Sequence, residues 1–299
     1  MTINLACAQY PIGQFGSFAA WQAHVADWVD RAVQGDAHFL LFPEYGAMEL
    51  TALLPAELQQ DITGQIAALQ DYHDAFVATW SALAKTHDVH IVAPSFPVQV
   101  GNVYRNRAYV VAPQGSVGWQ EKRQMTRFER EAWIIEGAAD LKVFDAVING
   151  EAVRFGVNVC YDVEFPLIAQ AQAAMGADLI LAPTCTDTLA GAHRVVTGAK
   201  ARALENQVYV AIAPTVGMAE WSPAVDVNVG WAGVYAAPDR GLPDNGVIAE
   251  GELSRPGWVF ARLDFERLRR SREDAQVFTA KDWPTQSQPS LDVEAVSLK

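Results

Sequence analysis

Apolar and polar residues repeat along the chain with the period of strands in some segments and of helices in others. Ile3–Gln9 is typical of a buried strand, and Trp21 and Val25 fall on one apolar stripe of a helix predicted over Phe18–Val33. The pattern predicts further strands at His38–Phe42, Val89–Pro94, Tyr104–Val111, Val117–Lys122, Lys142–Ile148, Val153–Val159, Leu179–Ala182, Tyr209–Pro214, Trp231–Ala236, Val247–Glu250 and Trp258–Leu263. It predicts further helices over Pro55–His87 with a break near Gly64, over Leu167–Met175 and over Ala192–Asn206.

The order of these elements indicates an α/β fold. Ala112–Ser116 joins two strands as a hairpin, whereas helices join others, so the sheets should be mixed rather than purely parallel. No segment has the composition of a linker between domains, and we expect one domain over residues 1–279. Residues 280–299 are polar and carry two prolines, which predicts a C-terminal tail that is either mobile or packed on a partner subunit.

Composition narrows the class of protein. The 299 residues are 51% hydrophobic and 19% charged, as in a globular protein. The net charge of −13 disfavours nucleic acids and anionic membranes as partners. The sequence contains neither a signal segment nor an apolar run near the roughly 20 residues of a membrane span, and its three cysteines suit a reducing compartment. We therefore expect a cytoplasmic protein, and the absence of metal-ligand spacing predicts no metal site.

Three reactive side chains follow three predicted strands. Glu44 comes after Pro43, Lys122 ends a hairpin strand, and Cys160 ends an apolar run. Each has an ordinary interpretation by itself: a loop carboxylate, an edge charge and a buried thiol. Together they suffice to attack a carbon–nitrogen bond, because a carboxylate can take the thiol proton and an ammonium can stabilise the oxyanion.

Several sequence elements in this order resemble the nitrilase superfamily of carbon–nitrogen hydrolases, over about residues 3–265. The residues that carry the resemblance are Phe42-Pro43-Glu44, Lys122, Asn158-Val159-Cys160-Tyr161-Asp162 with Phe165-Pro166, Gly176–Pro183 and Arg202–Val210. The resemblance implies a four-layer α-β-β-α sandwich with two mixed sheets, no cofactor, and homodimers or larger homo-oligomers. It also implies that Glu44 is the general base and acid, that Lys122 stabilises the oxyanion with the backbone N–H of Tyr161, and that Cys160 is the nucleophile.

Many members of this superfamily use a second glutamate, which binds the lysine. Two candidates occur here, Glu129 and Glu131, and their spacing does not decide between them. We favour Glu131, because Trp133 two residues later could form a wall of the pocket. Glu129 is the alternative, and a surface helix held by salt bridges would explain both residues without a catalytic role.

The residues beside the nucleophile bear on the substrate. Cys160-Tyr161-Asp162 resembles the amidase-like members rather than the nitrile-cleaving ones, and the sequence therefore predicts hydrolysis of a small-molecule amide. Amidase-like relatives often carry arginine where this chain has Glu164. This difference argues against assigning the substrate class of those relatives to this chain. Three polar residues that follow the strand Leu179–Ala182 are predicted to line the same cleft: Thr184, Thr186 and Asp187.

Other functions within and outside the superfamily fit the same residues. The chain could cleave a nitrile or an N-carbamoyl compound, or it could transfer the acyl group to an amine. It could also be a catalytically silent member that serves as a binding or assembly module, although the intact set of Glu44, Lys122 and Cys160 argues against that.

Overall fold

The computed structural model describes residues 2–287 and 293–298. Within them the strands are β1 Thr2–Pro11, β2 Phe39–Leu41, β3 His90–Val92, β4 Phe96–Val100, β5 Val103–Val111, β6 Val117–Glu121, β7 Val143–Ile148, β8 Glu151–Val157, β9 Leu179–Thr184, β10 Tyr209–Met218, β11 Val227–Asn228, β12 Gly233–Tyr235, β13 Val247–Glu250 and β14 Gly257–Asp264. The α-helices are α1 Phe18–Gln34, α2 Ala56–Gln60, α3 Ile62–Leu69, α4 His73–His87, α5 Pro166–Ala174, α6 Leu189–Asn206, α7 Phe265–Glu273 and α8 Thr279–Asp282. Shorter 3₁₀ helices lie at Gly46–Leu53, Gln70–Tyr72, Cys160–Glu164 and Trp283–Ser287, and a π-helical turn lies at Glu129–Trp133.

The strands form two mixed halves of a curled sheet. In the first half β1 pairs in parallel with β2 and antiparallel with β14, and β2, β3, β5 and β4 follow outward. In the second half β10 pairs in parallel with β9, which continues to β8 and β7. The halves meet where Tyr10 and Pro11 of β1 pair with Thr215 and Val216 of β10. The expected mixed α/β architecture is thereby confirmed.

Successive side chains on a strand point to opposite faces of the sheet and therefore contact different layers of the fold. On β1, Leu5 and Cys7 point into the core shared with the second half of the sheet, whereas Ala6 points to the core beneath α1 and α4. The two halves face each other, since the rings of Phe39 on β2 and Phe155 on β8 lie 5.0 Å apart. Helices α5 and α6 pack on the second half. This order is compatible with the predicted α-β-β-α sandwich.

Among the predicted elements whose bounds differ from the observed ones, two differ for a clear local reason. The break expected near Gly64 lies at Asp61, whose carboxylate accepts hydrogen bonds from the backbone N–H of Thr63 and Gly64 and thereby starts α3. The strand expected over Val153–Val159 ends at Val157. The chain then turns into the 3₁₀ helix that begins with Cys160, because Asp162 accepts the backbone N–H of Val159 at 3.2 Å.

The C-terminal segment is described in part. Helix α8 lies against α6, and the Thr279 hydroxyl donates to the carbonyl of Leu204 at 2.7 Å. The predicted tail over residues 280–299 lies partly outside the described residues, so the division at residue 279 stays a prediction. In the described part of the chain, no helix has both the length and the apolar character needed to cross a membrane.

Candidate active site

The nucleophile candidate sits on a tight turn at the carboxyl end of β8. Cys160 is only 4% exposed and has a φ of +49°, a left-handed conformation that is uncommon for residues other than glycine. Its thiol donates a hydrogen bond to the carbonyl of Cys185, with an Sγ–O distance of 3.6 Å. Such local strain is found where surrounding contacts hold a reactive group in place.

Helix α6 packs closely against the turn that carries Cys160. A Cβ at Gly198 would lie 3.0 Å from the carbonyl oxygen of Val163, so a larger residue here would push the helix and the turn apart by a few tenths of an ångström. Arg202, one turn further along α6, donates to the same carbonyl at 3.1 Å. These contacts hold the turn against α6.

Asp162 ties the nucleophile turn to the strand end that carries Lys122. Its buried carboxylate accepts the backbone N–H of Gln124 at 2.7 Å and that of Arg123 at 3.2 Å. Burial raises the pKa of Asp162 to about 6, although these backbone hydrogen bonds act in the opposite direction. The Asp162 carboxylate therefore connects the turn that carries Cys160 to the segment that follows Lys122.

Lys122 lies between two buried carboxylates. Its ammonium donates to Glu44 Oε1 at 2.7 Å and to Glu129 Oε2 at 2.7 Å. The three side chains are at most 2% exposed. Two of the three ammonium N–H groups are thus occupied, and the third is available to an oxygen of a bound molecule.

The second glutamate is Glu129, and the preference for Glu131 is corrected by the structure. Glu131 points away from Lys122, is 61% exposed and forms an ion pair with Arg127 at 2.8 Å. The two glutamates are two residues apart on a helical turn, and side chains with that spacing lie on different faces. Only Glu129 reaches the ammonium.

Three residues that the sequence did not indicate hold the carboxylates of Glu44 and Glu129 by hydrogen bonds. The buried amide of Asn106 donates to Glu44 Oε1 at 2.9 Å and lies 3.5 Å from Glu129 Oε1. The Tyr45 hydroxyl donates to Glu129 Oε1 at 2.6 Å, and both the hydroxyl and the backbone N–H of Thr126 donate to Glu129 Oε2. The orientation of Glu129 is therefore fixed by several donors besides Lys122.

The protonation states follow from burial and from the two carboxylates. Burial raises the pKa of Glu44 to about 7, although Lys122 and a hydrogen bond with the Cys160 thiol act in the opposite direction. Burial and the neighbouring Glu44 raise the pKa of Cys160 well above its ordinary value. Burial by itself would lower the pKa of Lys122, but Glu129 and Glu44 together raise it well above the ordinary value. The centre therefore holds a neutral thiol, an ammonium and a carboxyl group that titrates near neutrality.

Glu44, Lys122, Glu129 and Cys160 open onto one cleft of about 740 Å³. The cleft is also lined by four of the residues that the sequence assigned to it, namely Trp133, Tyr161, Thr186 and Asp187. The Trp133 ring packs against Tyr45 with centroids 4.4 Å apart. Thr184 is a correction: it is buried in β9, its hydroxyl donates to the carbonyl of Ala213 at 3.3 Å, and it does not line the cleft.

The described residues, 2–287 and 293–298, offer no set of side chains for a metal ion. No group of three or more His, Cys, Asp or Glu side chains in these residues could hold a metal ion. The lysine between Glu44 and Glu129 occupies the place where a cation would bind two carboxylates.

The sequence matches known proteins over most of its length. Residues 4–242 match the family model described as carbon-nitrogen hydrolase. The chain is 29% identical over 281 residues to the protein named Probable hydrolase YhcX of Bacillus subtilis, which covers 94% of this chain and 53% of that protein. The chain thus spans about half the length of this relative. It is 27% identical over 243 residues to an (R)-stereoselective amidase of a Pseudomonas species, covering 80% of this chain and 78% of the amidase.

A solved structure has the same fold. The amidase of Nesterenkonia sp. AN1 superposes with a TM-score of 0.64 at 23% identity, over 94% of this chain and 99% of that one. That amidase is a member of the nitrilase superfamily. In its crystal structure, acrylamide is joined to the active-site cysteine by Michael addition.

Proposed function

The chain belongs to the carbon–nitrogen hydrolase family, and we propose that it hydrolyses small-molecule amides through a thioester on Cys160. The membership confirms the resemblance to the nitrilase superfamily inferred from the motifs. The observation that carries the proposal is the buried Lys122 ammonium, which is held 2.7 Å from both Glu44 and Glu129 in a cleft that also contains the Cys160 thiol. These groups are the nucleophile, the base and the oxyanion stabiliser that such a reaction requires.

The first half-reaction forms the thioester. Glu44 takes the thiol proton as sulfur attacks the amide carbon, and the electron pair of the carbonyl moves onto its oxygen. The third N–H of Lys122 and the backbone N–H of Tyr161 stabilise that oxygen. The carbonyl then reforms, the carbon–nitrogen bond breaks, and protonated Glu44 gives its proton to the departing nitrogen, so that ammonia leaves.

The second half-reaction returns the enzyme to its starting state. Glu44 takes a proton from water, the hydroxyl oxygen attacks the thioester carbon, and the thiolate of Cys160 leaves with the bonding pair. Glu44 then returns its proton to sulfur. A carboxyl group with a pKa near 7 suits both directions of this transfer, because it loses and gains a proton readily at neutral pH.

The experiment that tests this function is ammonia release from a panel of small amides, N-carbamoyl compounds and nitriles. Release from amides with an acyl-enzyme on Cys160 supports the proposal. Release from nitriles alone would favour nitrile hydrolysis, and products bearing an added amine would favour acyl transfer. An iodoacetamide probe that leaves Cys160 unmodified at neutral pH would favour a silent binding module. The expected homo-oligomeric assembly and cytoplasmic location stay predictions.

Glu129→Gln tests the second glutamate. We expect kcat to fall by about 10²-fold, because the loss of one carboxylate charge lets Lys122 shift toward Glu44 and away from the oxyanion. The matched control is Glu131→Gln, which removes an exposed ion pair and should change kcat by less than about twofold. The measurement is the steady-state kcat of both variants, after circular dichroism has shown that each keeps the fold. Equal losses in the two variants would contradict the role of Glu129.

The pH profile tests Glu44 as the base. Only the deprotonated carboxylate can take the thiol proton, so kcat/KM should rise with pH through a midpoint near the Glu44 pKa of about 7. Asn106→Leu removes a hydrogen bond that stabilises the ionised carboxylate. The midpoint should therefore move upward by about one unit in that variant. A midpoint that stays in place, or moves downward, would contradict the assignment.

A further inference from the structure

Glu164 is a charged residue in the cleft that the proposed reaction does not use. It is the last residue of the 3₁₀ helix Cys160–Glu164, four positions after the nucleophile, and it lines the same cleft. Its side chain is 21% exposed, and within the described residues its carboxylate accepts no hydrogen bond. A bound molecule that removes the remaining water from such a carboxylate loses free energy of binding, unless the molecule itself donates a hydrogen bond to the carboxylate.

The neighbouring cation does not satisfy this carboxylate. Nε of Arg194 lies 3.7 Å from Glu164 Oε1, which is too far for a hydrogen bond. Arg194 also lines the cleft, but its side chain is 63% exposed, so water can solvate its guanidinium. A molecule that fills the cleft would cover the deeper Glu164 carboxylate more fully than the exposed guanidinium.

The catalytic centre adds no positive charge that would offset Glu164. The Lys122 ammonium is matched by Glu44 and Glu129, so the three groups together carry no net positive charge. Burial raises the pKa of Glu164, although the charges of Arg194 and, to a smaller extent, Lys122 act in the opposite direction. Among the charged side chains that line the cleft, six carboxylates outnumber four cationic groups, so the net charge of the cleft wall favours a cation.

We propose that Glu164 determines specificity by accepting a hydrogen bond from a protonated amine on the acyl part of the substrate, so that the preferred substrates are amino-substituted amides. This inference rests on the proposed amide hydrolysis and names its substrate class. A charge-assisted hydrogen bond to a partly buried carboxylate supplies enough free energy for about tenfold discrimination or more. A neutral acyl group would displace water from the Glu164 carboxylate without donating a hydrogen bond in its place.

The test compares amides of equal length and different charge at pH 7. Glycinamide, β-alaninamide and 4-aminobutanamide carry the cation, propanamide, butanamide and pentanamide are their neutral counterparts, and succinamate carries an anion. For at least one length, kcat/KM of the amino amide should exceed that of its neutral counterpart by about tenfold, with succinamate the poorest substrate. Preference for the neutral amides or for succinamate would overturn the inference, and the latter would identify Arg194 as the recognition residue.

The variant Glu164→Gln separates recognition from catalysis. It keeps the shape of the side chain and removes its charge, so the ratio of amino amide to neutral amide should fall by about tenfold. Glu252→Gln, which removes an exposed carboxylate from an ion pair with Arg255 outside the cleft, should leave the ratio unchanged. An unaltered ratio in Glu164→Gln would overturn the inference while hydrolysis itself stands. If no amide in the panel releases ammonia and none acylates Cys160, the proposed function fails, and this inference fails with it.

Discussion

Replacing Cys160 by alanine should lower kcat for amide hydrolysis by at least about 10⁴-fold, because the proposed thioester forms on its sulfur. The fold should survive, since the substitution removes one sulfur atom from a turn that backbone contacts hold. We expect a loss of about 1 kcal/mol in the free energy of unfolding. Ammonia release and thermal unfolding of the purified variant measure the two effects.

Cys185→Ala is the matched control for this substitution. Cys185 also lines the cleft, but it contacts Cys160 through its backbone carbonyl, which alanine retains. Its own thiol donates a hydrogen bond to Asn228 Oδ1 at 3.6 Å. Cys185→Ala should therefore keep its turnover. Turnover that persists in Cys160→Ala, or vanishes only in Cys185→Ala, would contradict the assignment of the nucleophile.

Replacing Glu44 by glutamine should lower kcat by about 10³-fold and leave KM nearly unchanged. The amide side chain fills the same space but cannot take the thiol proton, and the Cys160 thiol, whose pKa is raised by burial, stays protonated. Single-turnover acylation, followed by quenching and mass spectrometry, measures the blocked step directly. A thioester that accumulates at the normal rate from an amide substrate would show that another group is the base.

Glu49→Gln is the control for the loss of a buried carboxylate. Glu49 lies five residues further along the same segment, outside the cleft, and accepts hydrogen bonds from Tyr10, Trp21 and the backbone N–H of Gly13. Burial raises the pKa of Glu49 to about 8, so glutamine resembles the form it already has at pH 7. Acylation should proceed in this variant, although its unfolding temperature can change.

The sequence was sufficient to predict where the reactive groups would lie. Glu44, Lys122 and Cys160 each lie at the end of a predicted strand, and such ends can meet at one edge of a sheet. The left-handed turn at Cys160 could not be predicted, because cysteine has no preference for that conformation. The hydrogen bonds to Asp162 and the close approach of α6 impose it, and both come from distant parts of the chain.

The surroundings of Lys122 were only partly predictable. The choice between Glu129 and Glu131 depends on which face of one helical turn points inward, and the local sequence does not contain that information. Asn106 could have been found, since it shares the inward-facing parity of Ala108 and Val110 on β5, where a polar residue needs a partner. The sequence places Thr184 after the strand Leu179–Ala182, but it is the last residue of β9, and its hydroxyl donates to the neighbouring strand.

The most direct test of the account is the identification of the covalent intermediate. The enzyme is mixed with a small amide that it hydrolyses, quenched in acid within one turnover, and digested for peptide mapping by mass spectrometry. The account predicts that the acyl group is attached to the peptide containing Cys160, that hydroxylamine removes it, and that one equivalent of ammonia accompanies its formation. Ammonia released without any acylated Cys160, at a rate that Cys160→Ala shares, would contradict it.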